Sequence, residues 1–346
     1  MSEPLASAEV DLGALIRHAA TRPLSAAEAE AAFVEVMEGR ATPVQIAALL
    51  VAIRVRGAVA GEVAGGVRAL RRAMVPVAAD AAGLVDTCGT GGGAITTFNI
   101  STAAALLAAG AGARVAKHGN RSFTSRCGSA DVLEALGIRL ELSPDEEARV
   151  LERTGIVFMF APLHHPAMKH VGPIRRELGM PTIMNVLGPV TNPAGARRQV
   201  VGVSDPGLLE LIAGALAELG HDRALVVHGE PGLDELSPLG TTQVLEVADG
   251  QWTRRTFDPA EELGWDPIPA AGLEGGDREE NAAKVEAVLR GNLGGAARAA
   301  VVLNAGAAIY CADLAPSLVD GIRAAEAALD AGRGWAKLEE LRDASA

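Results

Sequence analysis

Between Asp86 and Asp131 the chain reads DTCGTGGGAITTFNISTAAALLAAGAGARVAKHGNRSFTSRCGSAD, and this stretch contains two polar loops. The first, Gly89 to Thr102, is rich in glycine and ends in Asn-Ile-Ser-Thr before an alanine-rich run. The second, Lys117 to Ser129, follows the short apolar run Arg114–Ala116. Loops combine glycine, serine, threonine and asparagine with basic residues when backbone N–H groups converge on an oxyanion. The stretch therefore predicts an anion-binding site.

The first loop is predicted to join a buried strand to the start of a helix. Leu84-Val85 ends a short apolar run, and the four glycines between Gly89 and Gly93 permit close approach of the backbone. Residues Asn99 to Thr102 include three types favoured at helix starts, and strong helix formers follow. Free N–H groups and the positive end of the helix dipole would then face the same anion. A tight structural turn before a capped helix is the alternative. The loop matches neither a Walker loop nor a dinucleotide-binding loop, because it lacks their spacing.

Composition restricts the class of protein. The chain has 346 residues, of which 49% are hydrophobic and 21% charged, as in globular domains. A net charge of −12 argues against a nucleic-acid partner. The longest charge-free apolar run, near Thr102 to Ala113, is shorter than the ~20 residues of a membrane span, and the N-terminus has no signal-peptide pattern. Three cysteines in a long chain fit a reduced, cytoplasmic protein, in which Cys88 and Cys127 are packing residues.

Residues 1 to 77 predict helices only. Ser25 with Glu28 forms a capping-box pattern, and Thr42-Pro43 places a favoured N-cap before a proline at the first helical position. Short helices with apolar faces leave surplus apolar surface, so we assign residues 1–77 to a helical domain that provides a dimer contact. Apolar residues recur at helical spacing in four segments: Leu12–Ala19, Ala26–Met37, Pro43–Ile53 and Ala60–Met74.

From Pro76 apolar runs alternate with helical segments, which predicts a mainly parallel central sheet flanked by helices. We assign residues 78–346 to this α/β domain. Ligands bind at the carboxyl ends of such strands, so the loops after the first, second, third and fifth runs should meet in one crevice. Residues Gly240 to Phe257 predict a hairpin that turns at Asp249-Gly250. The strand-like runs are Leu84–Val85, Arg114–Ala116, Ile156–Phe160, Gln199–Val203 and Ala224–Val227, and the helices after the hairpin are predicted in Arg278–Leu289, Ala296–Ala312 and Ser317–Glu340.

Two charged groups farther along are candidate ligand contacts. Arg175 lies in a segment, Pro166 to Glu177, that can be helical with an interruption at Pro173, and that we expect to pack on the N-terminal helices. A guanidinium can hold a carboxylate through a bidentate fork, but a solvated helix charge is the alternative. The adjacent carboxylates of Asp234 and Glu235 could reach a hard cation from a loop, or could form an acidic surface turn.

Several ordered motifs resemble one enzyme family. GTGG followed by TFNIST, then KHGNR and GSADVLEALG, is similar to anthranilate phosphoribosyltransferase of tryptophan biosynthesis. Further matches are FAPLHHPAMKHVGPIRRELG, TIMNVLGPVTNPAG and the acidic pair in GLDELSP, so the similarity spans about Ala41 to Gly306. The resemblance implies a fold of the nucleoside phosphorylase and phosphoribosyltransferase type, and a homodimer formed through the helical domain.

The resemblance also implies a reaction and its site residues. Anthranilate and 5-phosphoribosyl 1-diphosphate would be the substrates, with two Mg²⁺ ions in each active site. Anthranilate would contact Gly89, Asn120 and Arg175, and magnesium would contact Ser101, Asp234 and Glu235. The phosphoribosyl donor would contact Gly89, Gly92, Gly93, Thr97, Asn99, Ile100, Ser101, Thr102, Lys117, His118, Gly119, Asn120, Arg121, Ser122, Phe123, Thr124, Ser125 and Ser129.

Two other functions share this architecture. A pyrimidine nucleoside phosphorylase also binds phosphate with a KHG-type loop, but the NIST, HHPAM and acidic-pair motifs favour the transferase. A non-catalytic nucleic-acid-binding relative is disfavoured by the net charge of −12 and by the acidic pair. The chain departs from the family pattern at Gly93-Ala94, where the family usually has Asp-Gly, and we expect Gly93 to contribute only its backbone N–H.

Overall fold

The computed structural model describes residues 10–91, 95–122 and 126–346. Short 3₁₀ helices cover Pro166–His170 and Pro206–Leu208. The strands are β1 (Leu84–Gly89), β2 (Arg114–Gly119), β3 (Ile156–Phe160), β4 (Arg198–Gly202), β5 (Arg223–Gly229), β6 (Thr242–Ala248) and β7 (Gln251–Phe257). The α-helices of the described ranges are α1 (Leu12–Ala19), α2 (Ala26–Met37), α3 (Pro43–Arg56), α4 (Ala60–Ala73), α5 (Ile100–Gly110), α6 (Ser129–Ala135), α7 (Pro144–Thr154), α8 (Ala161–His164), α9 (Gly172–Leu178), α10 (Met184–Leu187), α11 (Leu209–Glu218), α12 (Pro259–Leu263), α13 (Arg278–Leu289), α14 (Gly295–Cys311), α15 (Leu318–Asp330) and α16 (Arg333–Ser345).

The strands form one sheet in the order β3-β2-β1-β4-β5-β6-β7. The first five strands in this order pair in parallel, while β6 and β7 add to the edge as an antiparallel hairpin. The chain runs from β1 outward to β3 and then returns to β4 on the other side of β1. The strand order therefore reverses between β1 and β4, which is where ligands bind in open α/β sheets. The predicted α/β class with an N-terminal helical unit is confirmed.

Capping interactions account for the helix starts near the N-terminus. The Ser25 hydroxyl accepts a hydrogen bond from the Glu28 N–H at 3.2 Å, and the Glu28 carboxylate accepts one from the Ser25 N–H at 2.8 Å. Thr42 and Gln45 make the same reciprocal pair at the start of α3. The reciprocal bonds satisfy N–H groups that the first turn of a helix leaves free, so these boundaries follow from local sequence.

The hydrophobic core has two parts. One packs α5, α13, α14, α15 and α16 against one face of the sheet. The other combines α1 to α4, α11 and the opposite face of β4 to β6 with Ala167, Val171 and Ile174. The segment around α9 thus shares a core with the N-terminal helices. The boundary after residue 77 stays a prediction.

Two turns show how backbone conformation sets element ends. The hairpin turns at Asp249 and Gly250, whose φ angles of 53° and 72° match a turn that requires two left-handed residues. The predicted helix from Ser317 to Glu340 is instead two helices, because the chain breaks at Gly332, which has a φ of 68°. The segment from Pro166 is also divided, since α9 begins only at Gly172 and Pro173 occupies its first turn.

Candidate active site

A polar cavity of about 420 Å³ opens at the carboxyl ends of the central strands. Residues after β1, β2, β3 and β5 line it, so the loops that were expected to meet in one crevice do so. Residues from α5, α9, α10 and the chain after α10 complete the wall. The lining consists of Cys88, Gly89, Thr90, Gly91, Asn99, Ser101, Lys117, His118, Gly119, Asn120, Arg121, Ser122, Gly128, Ser129, Ala161, Arg175, Met184, Asn185, Gly188, Pro189, Asp234 and Glu235.

The acidic pair reaches this cavity because two glycines allow its loop to approach the sheet. A Cβ atom on Gly202, the last residue of β4, would lie only 1.7 Å from the Asp234 carbonyl oxygen. A Cβ atom on Gly89, the last residue of β1, would lie 3.0 Å from Oδ2 of Asp234. Larger residues at these strand ends would push the loop away. The pair is therefore held against the ends of β1 and β4, and is not an acidic surface turn.

Both carboxyl groups of the acidic pair have a raised pKa. Burial, and then the charge of Asp234, raise the pKa of Glu235 to about 8, although Lys117 and the Ser101 N–H oppose the shift. Burial also raises the pKa of Asp234, while hydrogen bonds from its own N–H and from that of Gly91 oppose the shift. No residue in the three described ranges forms an ion pair with either carboxylate. Such a pair favours a bound cation over the free, doubly ionised state.

The second loop places a buried lysine beside the start of α5. Lys117 is 3% exposed, and its ammonium donates to the Thr87 carbonyl oxygen. The same Nζ lies 3.3 Å from the Ser101 hydroxyl oxygen. Burial lowers the pKa of Lys117, and the charges of Asp86, Cys88 and Glu235 oppose that shift. Lys117 therefore contributes positive charge to the cavity wall from a fixed position.

Acidic residues of α6 contact the described residues on both sides of the second loop. The Asp131 carboxylate accepts hydrogen bonds from the N–H groups of Gly128, at 2.8 Å, and Ser122, at 3.1 Å. The Arg121 guanidinium pairs with Asp131 and Glu134 at 3.0 Å each. These bonds hold the backbone at Ser122 and Gly128, whereas the Arg121 side chain already has two anionic partners.

Two histidines lie close together near this loop, and one of them, His118, lines the cavity. Nε2 of His118 lies 3.2 Å from Nε2 of His165, so one ring must donate and the other accept. Burial lowers the pKa of His165 to about 4, and burial together with the neighbouring His165 lowers the pKa of His118 well below its usual value. Both rings are consequently neutral at pH 7. His165 itself contacts the cavity only through His118.

Arg175 supplies a cation on the opposite wall. It is half-buried, burial lowers its pKa, and its Nη2 donates to the Asn185 side-chain oxygen at 3.4 Å. That oxygen also accepts the Thr182 N–H at 3.1 Å. No carboxylate of the described residues pairs with Arg175. The arginine is thus a fixed cation, open to a ligand carboxylate, and not an ordinary solvated helix charge.

The sequence and the architecture are matched in known proteins. Residues 12–74 match the helical bundle domain of a glycosyl transferase family, and residues 81–335 match the a/b domain of that family. An anthranilate phosphoribosyltransferase of Rubrobacter xylanophilus is 53% identical over 328 residues, which cover 95% of this chain and 95% of that protein. The chain belongs to the anthranilate phosphoribosyltransferase family.

Solved structures of the family agree with this assignment. The anthranilate phosphoribosyltransferase of Thermus thermophilus superposes with a TM-score of 0.90 at 44% identity, covering 95% of this chain and 98% of that one. The Saccharomyces cerevisiae anthranilate phosphoribosyltransferase, solved in complex with PRPP and Mg, has a TM-score of 0.86 at 26% identity and covers 98% of both chains.

Most site residues predicted by resemblance to the anthranilate phosphoribosyltransferases surround the cavity. Three of the predicted donor contacts do not line it. Ile100 and Thr102 are buried in the first turn of α5, and Thr97 forms an isolated β-bridge with Glu274. Five predictions lie outside the described residues: Gly92, Gly93, Phe123, Thr124 and Ser125. Those that line the cavity are Gly89, Asn99, Ser101, Lys117, His118, Gly119, Asn120, Arg121, Ser122, Ser129, Arg175, Asp234 and Glu235.

Sequence reasoning missed two kinds of residue. Asn185 entered the sequence analysis only as part of the motif TIMNVLGPVTNPAG, yet its side-chain oxygen accepts a hydrogen bond from Arg175. Asp86 and Asn192 were assigned no role, although they form a buried hydrogen bond of 2.9 Å beneath the second loop. A buried carboxylate at the start of a strand–loop motif was the available signal for Asp86, because aspartates are rarely buried without a partner.

Proposed function

We propose that the chain transfers the phosphoribosyl group of 5-phosphoribosyl 1-diphosphate to the amine of anthranilate. The products are N-(5-phosphoribosyl)anthranilate and pyrophosphate, in the second step of tryptophan synthesis from chorismate. The observation that carries the proposal is the meeting, in one cavity, of both polar loops, the acidic pair and Arg175. In a member of this family, that cavity offers separate places for a polyanion, a cation and a carboxylate.

The donor pyrophosphate is assigned to the wall formed by the two loops and the start of α5. Ser101 and Lys117 lie together there, and Gly89 and Gly119 end the two strands that carry the loops. Backbone N–H groups and a buried ammonium stabilise an anion strongly where water is largely excluded. Gly92, Gly93 and residues 123–125 are included in the donor contacts on the resemblance alone.

The acidic pair fits magnesium. Two adjacent carboxylates, raised in pKa and without a cationic partner among the described residues, are hard oxygen ligands that lack a charge to neutralise. The Ser101 hydroxyl is a third oxygen on the same cavity wall. Asp234, Glu235 and Ser101 would hold the metal, with two ions per site as the family resemblance implies. When bound, magnesium would neutralise charge on the leaving pyrophosphate.

Anthranilate is assigned to the wall that carries Arg175, with Gly89 and Asn120 as further contacts. A guanidinium binds a carboxylate in a planar fork, so Arg175 would orient the ring and place the amine toward the donor. The amine is neutral at pH 7 and needs no general base before attack. The bond from ribose C1 to the pyrophosphate oxygen breaks, the amine nitrogen bonds to C1, and the amine then loses a proton. The neutral His118 ring, whose pKa is low, is placed to receive a proton only transiently.

Transfer requires both substrates and the metal, so anthranilate fluorescence provides a direct test. We expect the signal of anthranilate to fall only when the phosphoribosyl donor and magnesium are both present. A chelator should stop the reaction, and added magnesium should restore it. Loss of anthranilate without the donor, or no loss with all components present, would contradict the proposal.

A homodimer through α3 and residence in the cytoplasm complete the proposal. Val44 and Val55 are each 79% exposed, and their separation of 11 residues puts them on the same side of α3. That side is opposite to the face that packs Ile46 and Leu50 in the core. No described helix has both the length and the apolar character needed to cross a bilayer.

Light scattering tests the dimer. Val44→Glu with Val55→Glu should convert a dimer to monomers, because two buried charges would face their own copies across the contact. Leu314→Glu is the matched control, since Leu314 is also apolar and 53% exposed but lies far along the chain after α14. A mass unchanged by the double substitution would show that α3 is not the contact.

A further inference from the structure

Asp86 is a buried carboxylate that the proposed reaction does not use. It lies on β1, is 0% exposed, and begins the stretch that contains both loops. Its Oδ1 accepts the His118 N–H at 3.1 Å, and its Oδ2 accepts the Asn192 amide at 2.9 Å. The Gln199 amide approaches the same Oδ2 at 3.5 Å. Three elements that surround the cavity therefore converge on this one side chain.

The surroundings of Asp86 select an ionised carboxylate over a neutral amide. The Asn192 side-chain oxygen is already an acceptor for the Ala194 N–H at 2.9 Å, so its NH₂ group must face Asp86. Gln199 likewise directs its NH₂ group to the Pro189 carbonyl oxygen at 3.1 Å and to Asp86. With the His118 N–H, all three neighbours are donors. A carboxylate accepts all of them, whereas an asparagine would turn its own NH₂ group toward at least one donor.

The charge near Asp86 comes from the second loop. Lys117, on β2, is the cation whose field favours the ionised form, and the Cys88 thiol is the other titratable group close by on β1. Burial raises the pKa of Asp86 to about 6, and Lys117, Asn192 and the N–H groups of His118 and Thr87 oppose that shift. Asp86 is thus mainly ionised at pH 7, opposite a lysine that is itself buried.

Lys117 and His118 connect Asp86 to the cavity. Lys117 lies 3.3 Å from the Ser101 hydroxyl, at the start of α5, and the backbone of His118 leads directly into Gly119 and Asn120. A change at Asp86 would remove the acceptor of the His118 N–H at the end of β2 and would alter the field at Lys117. Arg175 has no hydrogen bond to this network among the described residues, so the anthranilate wall should respond less.

We propose that Asp86 is a positioning residue for the phosphoribosyl donor: it holds Lys117 and the backbone at His118 in the arrangement that receives the pyrophosphate. The inference rests on the proposed transferase function. Asp86 does not line the cavity itself, and it acts through its hydrogen bond from the His118 N–H and through the effect of its charge on Lys117. Its loss should therefore weaken use of the donor selectively.

Steady-state kinetics of Asp86→Asn test this role. A hydrogen bond to a charged group contributes about 1.5–3 kcal/mol, so kcat/KM for the donor should fall by about 10-fold to 150-fold. The KM for anthranilate should change by less than about 3-fold, which corresponds to under 1 kcal/mol. Thr154→Val is the matched control, because Thr154 is also buried and its hydroxyl bonds to the main chain of Val150 and Ile156, and to none of the Asp86 partners. The control should lower Tm and leave the donor kinetics close to wild type.

The outcomes separate the alternatives. A similar loss for both substrates, or an equal loss in use of the phosphoribosyl donor by Thr154→Val, would show that Asp86 only supports the fold. If Asp86→Asn does not fold, Asn192→Ser is the deciding variant. It removes the Asn192 amide, which donates a hydrogen bond to Oδ2 of Asp86. We expect a smaller loss of kcat/KM, confined to the phosphoribosyl substrate. A wild-type protein without transferase activity would refute the proposed function and this role with it. An active wild type with an unaffected Asp86→Asn variant would refute the role of Asp86 alone.

Discussion

The raised pKa of Glu235 predicts that protons compete with magnesium at the acidic pair. Its carboxyl has a pKa of about 8, because burial and Asp234 both disfavour the ionised form. A metal binds the deprotonated carboxylate, so metal affinity falls as Glu235 takes up a proton. The perturbation is a change of pH from about 8.5 to about 6.5, on either side of this pKa.

The size of the effect follows from the ionised fraction. With a pKa of about 8, that fraction falls from about three quarters at pH 8.5 to about 3% at pH 6.5. The magnesium concentration at half-maximal rate should rise by roughly 25-fold over this interval, from the ratio of the two fractions. Glu235→Gln cannot be protonated in this range, so it should need more magnesium at every pH but show little dependence on pH.

Initial rates against magnesium, at fixed saturating donor, measure the effect at each pH. The donor binds protons and magnesium itself, and the glutamine variant corrects for this because the donor is common to both proteins. The quantity to compare is the difference in pH dependence between wild type and Glu235→Gln. Equal pH dependence in the two proteins would refute the account of Glu235 as a metal ligand with a raised pKa.

Two further predictions concern the opposite wall and the metal-free protein. Arg175→Ala should reduce kcat/KM for anthranilate by about 30-fold to 1,000-fold, or about 2–4 kcal/mol, while Arg175→Lys rescues only part of it; equal damage to the donor would contradict the assignment. In the metal-free protein the raised pKa of Glu235 contributes stability that is complete below about 4.5 and is lost as the pH rises through about 8. The Tm of wild type relative to Glu235→Gln should therefore fall between about pH 5 and pH 9, and a constant difference would argue that Glu235 is not buried in the folded state.

The architecture was predictable because its signals are local. The capping pairs at Ser25 and Thr42 fix helix starts through neighbouring residues, and the five apolar runs coincide with the five parallel strands. The break at Gly332 was missed because an isolated glycine within a helical pattern can be tolerated without ending the helix.

The site was predictable where a motif places a residue at a strand end, and less so where packing decides. Ser101 lines the cavity, but Ile100 and Thr102 do not, because successive residues of a helix point about 100° apart. The burial of Asp234 and Glu235 depends on Gly202, more than 30 residues away, which no local pattern connects to them. The role of Asp86 likewise depends on Asn192 and Gln199, which reach it only in the folded chain.

The most direct test of the central claim is the stoichiometry of the reaction. Purified protein is incubated with anthranilate, 5-phosphoribosyl 1-diphosphate and magnesium, and pyrophosphate and N-(5-phosphoribosyl)anthranilate are both quantified by mass spectrometry. The account predicts one pyrophosphate and one N-(5-phosphoribosyl)anthranilate for each anthranilate consumed, and no phosphate-dependent cleavage of uridine in a parallel reaction. Cleavage of uridine, or anthranilate left unchanged while the other components are present, would contradict it.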